Sequence, residues 1–120
     1  MNQTREEKIA AARVRLAELA AKFIDRSRDD MRVMRDASRK VRGGDAGGLT
    51  EIRHLAHRMA GTGATLGYET LGERATSIEA LIDSLPGGAL PDAATLSRLA
   101  EGLDALEAQL AADANKLAGP

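Results

Sequence analysis

The sequence predicts an all-α fold, an antiparallel up-and-down four-helix bundle with an N-terminal helical extension, and three observations carry that prediction. Ala, Leu and Arg are the commonest residues while aromatic residues make up 2% of the chain, a composition that suits helices and leaves few of the aromatic and β-branched side chains strands prefer. Apolar residues recur at alternating spacings of three and four through several stretches, the period of a helix with one buried stripe. Short turns marked by glycine or proline separate those stretches, and short connections make consecutive helices antiparallel neighbours. The 120 residues form one domain, 1–120, because a second core would have too little surface to bury.

The first helix is marked by Ile9, Ala12, Leu16, Leu19 and Phe23. The pattern falters from Asp25 through Asp30 and resumes with Met31, Met34, Ala37 and Val41, so residues 4–42 read either as one long helix or as two with a bend. Residues 1–22 are an N-terminal helix or helical extension and 23–117 the bundle, four or five helices in all. Gly43, Gly44, Asp45, Ala46, Gly47 and Gly48 form the strongest turn signal, with Asp45 or Thr50 as candidate cap of the next helix. A second amphipathic segment spans about Leu49 to Leu66. A third carries Leu71, Ala75, Ile78, Ile82 and Leu85 and stops at Pro86, Gly87 and Gly88. After Pro91, Asp92 is a favourable N-cap for a long last helix with Leu96, Leu99, Leu103, Leu106 and Leu110 on its stripe.

Composition also excludes several kinds of chemistry. With no cysteine there is no disulfide, no thiolate metal site and no thiol nucleophile. No stretch approaches the ~20 apolar residues of a membrane span, and the first residues lack the apolar core of a signal peptide, so a soluble cytoplasmic protein is expected. Net charge is −1, but residues 1–58 hold 14 Lys and Arg against 9 Asp and Glu, whereas residues 59–120 hold 3 against 9. Acids interleaved through the basic half (Asp25, Asp29, Asp30, Asp36) argue against a nucleic-acid surface.

His57 is the residue that stands apart. At ~100° per residue, Leu55, Met59 and Leu66 lie roughly opposite it, so the imidazole faces solvent. Its own side holds Arg53 one turn before, Gly61 one turn after and Ala64 nearly in line, with Ala60 and His54 flanking. Gly61 and Gly63 each disfavour a helix interior by ~1 kcal/mol relative to alanine. Close approach by a partner protein is one reason to keep such a low platform, whereas an enzyme for a small substrate needs a concave pocket. An unperturbed imidazole titrates near ~6.5 and offers a lone pair to phosphorus without a dedicated base. Arg53, His54 and Arg58 are the nearby sources of positive charge for phosphoryl oxygens. His54 is read as a polar neighbour. His54 and His57 have no carboxylate at a matching position and do not complete a zinc shell, so no metal and no bound cofactor are expected. Met31, Met34 and Met59 are assigned to the core, with a docking role as the alternative.

His57-Arg58-Met59-Ala60-Gly61, then Leu66-Gly67 and later Leu71, Ala75 and Ile78-Glu79, resembles the histidine phosphotransfer domains. Their usual motif is His-x-Leu-Lys-Gly, a run of small residues, Leu-Gly, and a helix closing near Leu-Glu. The resemblance covers about residues 20–110, with the first ~20 adding a shorter helix packed on the bundle. It implies that His57 is the phospho-acceptor, Gly61 the small neighbour that admits a receiver domain, and Leu66 and Gly67 the end of the active helix. The implied partners are receiver domains of a hybrid histidine kinase and of a response regulator, which bring a phospho-aspartate and Mg²⁺. The chain has no nucleotide-binding signature of its own and is expected as a monomer. One departure stands out, since the family's lysine three residues after the histidine is Ala60 here and the chain's lysines are Lys8, Lys22, Lys40 and Lys116. Arg53 or Arg58 is the expected substitute. A receiver-binding module that sequesters a response regulator without chemistry is the alternative reading. The phosphoacceptor part of a histidine kinase is disfavoured, because the acid or asparagine and the proline expected after its histidine are absent.

Overall fold

The protein was analysed as a computed structural model that describes residues 4–119. Four helices make up the described chain, in the order α1 (Arg5–Arg42), α2 (Gly47–Thr65), α3 (Glu69–Asp83) and α4 (Ala93–Ala118). Each packs on its chain neighbours and α4 closes the ring against α1, while the diagonal pairs do not meet. This is the up-and-down bundle, and its core is a stack of Met34, Ile52, Met59, Leu71, Ile78 and Leu103 with their neighbours from all four helices.

Residues 5–42 form one continuous helix, with no break at the polar run. Its apolar stripe passes through that run as Phe23, Ser27, Met31 and Met34, all buried. The charged residues outside the stripe pair within the helix, Arg28 with Asp25, Arg32 with Asp29 and Arg39 with Asp36, at a spacing that supports helices. At about 1.5 Å per residue α1 is about 57 Å long, and it sets the 63 Å length of the molecule.

The expected shorter helix packed on the bundle is therefore replaced by a projecting arm. Ala20 is the first buried residue of α1, and among residues 5–19 only Ala11 is even half-buried. Ile9, Leu16 and Leu19 are 42–54% exposed. Periodicity made these residues amphipathic, but the other described helices leave them largely uncovered, with Leu19 at the edge of a recess beside the end of α2.

Asp92 caps α4 as its sequence signal requires, and Thr4 caps α1. Thr4 accepts from the backbone N–H of Glu7, and Asp92 from that of Thr95. Asp45, not Thr50, serves the start of α2, its carboxylate accepting from Gly47 N at 2.9 Å. Gly44 (φ 101°) and Gly67 (φ 88°) end α1 and α2 in the left-handed region. After each, the next N–H reaches back to the carbonyl of Lys40 or Gly63, which satisfies helix-end carbonyls. Gly48 answers a different demand: a methyl placed on it would meet the Ala37 carbonyl oxygen at 2.4 Å and Val41 at 2.8 Å. Gly48→Ala is expected to destabilise the fold by about 1–3 kcal/mol through that overlap, as read by urea denaturation. An unchanged midpoint would show that α1 and α2 can separate there freely.

Candidate functional site

His57 stands at mid-helix on α2 with its side chain 70% exposed and no helix over it. Leu55 and Met59 are buried on the opposite side and Leu66 packs against the core, as the helical projection requires. Gly61, Ala64 and His54 are exposed on the His57 side. Ala60 is half-buried and packs on the core.

The small residues of this segment have separable causes. A methyl on Gly63 would touch Phe23 and the Tyr68 carbonyl oxygen at 3.5 Å, and one on Gly72 would press the Ala60 carbonyl oxygen at 3.3 Å. Gly72 and Ala60 thus belong to the close approach of α3 to α2, and Gly63 to the packing of α2 against Phe23 of α1 and the turn into α3. Gly61 does not, since a methyl there would meet nothing within 4 Å. No contact inside the described molecule explains that glycine.

The imidazole is oriented from α3. His57 Nδ1 lies 2.7 Å from Glu79 Oε2, and the Glu79 side chain is only 15% exposed. An ionised carboxylate can only accept, so Nδ1 carries the hydrogen and donates it, and Nε2 of the neutral ring keeps its lone pair. Glu79 was missed as a functional residue in the sequence because it lies 22 positions away and meets His57 only through the pairing of α2 with α3. Its place in the Ile78-Glu79 motif was the one available signal.

Arg53 and Arg58 are both bound to carboxylates. Arg53 donates through Nε to Asp83 at 2.5 Å and through its terminal nitrogen to the other Asp83 oxygen at 3.2 Å, and it lies 3.3 Å from Glu79. Its hydrogen bond holds the Asp83 carboxyl below the usual carboxylate range and the guanidinium above its own. A carboxyl with a lowered folded-state pKa contributes its ion pair above the unfolded value of ~3.9 and loses it as pH falls through the folded value. At neutral pH the Arg53–Asp83 ion pair is therefore formed. Arg58 turns the other way, donating to Asp30 of α1 at 2.7 Å. The substitution of either arginine for a lysine at Ala60 gains no support from these contacts.

Among the described residues no cluster of three or more His, Cys, Asp or Glu could hold a metal, and no helix is long and apolar enough to cross a membrane. The Hpt domain family matches residues 18–112. The chain belongs to that family. The match leaves out the outer part of the α1 arm and covers all of α2 and α3, where His57 and Glu79 sit. No curated protein and no solved structure matches the chain. Hpt domains carry out histidine phosphotransfer in phosphorelays and interact with receiver domains of two-component systems.

Proposed function

We propose that this Hpt domain is a phosphorelay intermediate that accepts a phosphoryl group on His57 from the phospho-aspartate of one receiver domain and passes it to another. The observation that carries the reading is the exposed His57 ring with Nδ1 held by Glu79. The Nε2 lone pair attacks phosphorus, an N–P bond forms, and the bond to the aspartate oxygen breaks with its electrons leaving on the carboxylate. The ring becomes cationic, keeps its Nδ1 hydrogen, and is balanced by Glu79. Return to a second receiver reverses each bond change. Positioning is most of the catalysis in phosphoryl transfer. Here Glu79 fixes the ring, Arg53 fixes Glu79, and the partner receiver is the expected source of Mg²⁺. Every residue in this scheme comes from one chain, so a monomer suffices.

Incubation with purified phosphorylated receivers is expected to leave an acid-labile, base-stable phosphate on the chain. Ala60 and the two engaged arginines favour one competing reading, a module that binds a receiver and sequesters it. Receiver binding without any label on the chain, across all receivers of the same cell, would select that reading and overturn the relay.

Two substitutions test the geometry. Gly61→Ala is expected to stabilise the helix by up to ~1 kcal/mol, since the methyl enters open space, yet to slow transfer by obstructing a receiver. Faster or unchanged transfer in a stabilised protein would remove the docking reason for Gly61. Glu79→Gln keeps an acceptor for the Nδ1 hydrogen and is expected to retain more transfer activity than Glu79→Leu, which keeps none. Equal rates for the two would show that the hydrogen bond does not matter to the chemistry.

A further inference from the structure

Two recesses flank the α2 crest on which His57 and Gly61 stand. The first, about 260 Å³, lies between α1 and α2, with Leu19, Phe23, Met59 and Leu66 among its lining residues and Lys22 and Arg26 beside them. The second, about 520 Å³, lies between α2 and α3 over Ala60, Ala64 and Gly72, and Glu69 and Glu73 line it. Around the α2 axis Thr62 and Thr65 turn to one side of His57 and Ala60 and Ala64 to the other, so the two recesses are on opposite flanks of the imidazole.

The recesses carry opposite and uncompensated charge. Among the described residues neither Lys22, Arg26, Glu69 nor Glu73 enters an ion pair, and all four are exposed. The first recess is also apolar in its walls, while the second is floored by small residues. Both fall within reach of one partner. A standard interface covers about 800 Å² on each side, a patch about 16 Å in radius, and residues 60–66 lie within about 14 Å of His57 along the helix.

We propose that this two-signed face selects and orients the receiver. Its partner surface presents an apolar side chain flanked by carboxylates to the α1–α2 groove and a lysine or arginine to the α2–α3 cleft. The inference rests on receiver docking over His57 and adds which receivers fit. A receiver rotated half a turn about the imidazole brings like charges together on both flanks, which disfavours that pose strongly enough to fix register and reject partners of the wrong polarity. The bare crest between the recesses carries the chemistry and the flanks carry the choice.

The test is the affinity of the full chain for the purified receiver domain that binds it most tightly. Lys22→Glu with Arg26→Glu, and separately Glu69→Lys with Glu73→Lys, are each expected to raise Kd about tenfold or more, with wild-type binding weakening as salt rises. The conservative pair Lys22→Arg with Arg26→Lys is expected to stay within about twofold of wild type. Thermal unfolding monitored by circular dichroism establishes that each variant is folded. Binding unchanged in both reversal pairs overturns charge selection, whatever the label on His57 does. Loss of phosphoryl label with charge-sensitive binding intact overturns the relay and leaves the selection standing.

Discussion

Replacing His57 with glutamine is expected to abolish phosphoryl uptake from any phosphorylated receiver while leaving the unfolding curve within about 0.5 kcal/mol of wild type. The two halves of that result come from different facts. The ring is 70% exposed, so its removal opens no cavity. An amide nitrogen has no lone pair to give phosphorus, so the N–P bond cannot form. Glutamine can still donate to Glu79 Oε2, which keeps that carboxylate partnered. Label that persisted in His57→Gln and vanished only on replacing His54 would move the acceptor one turn along α2 and overturn the assignment.

Leu103→Ala is expected to have the largest effect on stability. Leu103 is fully buried on α4 within the common core. Truncating such a leucine removes its transfer free energy and leaves a cavity, together about 2–5 kcal/mol. Against the 5–15 kcal/mol that holds an ordinary domain together, that is a large share. The urea midpoint should fall accordingly with the denaturant slope preserved. A loss under about 1 kcal/mol would mean that α4 is not seated as described. Any accompanying fall in phosphotransfer should track the unfolded fraction, unlike the fall in His57→Gln.

The helices were legible because burial writes its period into the chain. Leu99, Leu103, Leu106 and Leu110 are all buried, and the spacing alone located them. The continuity of α1 was not legible. Ser27 takes a core position that an apolar residue would have advertised, and a run of charges looks the same whether it breaks a helix or covers its outer face. The arm was misjudged for a related reason, since Ile9, Leu16 and Leu19 announce an apolar stripe without announcing what it meets. At the site, the exposure of His57 followed from local periodicity. Its bond to Glu79 and the engagement of Arg53 with Asp83 and of Arg58 with Asp30 depend on which helices lie side by side, and no spacing within one helix encodes that. Likewise Gly61 and Gly63 look alike in sequence and differ only once Phe23 of α1 and the turn into α3 are in place.

In the relay proposed above, a single acceptor ring on a single crest has a consequence for traffic. Donor and recipient receivers need the same few square nanometres around His57, so they must visit in turn, each leaving before the next arrives. Throughput then depends on how quickly a spent visitor departs as much as on the transfer itself. In that scheme an unphosphorylated receiver in excess acts as a competitive inhibitor of the carrier that serves it.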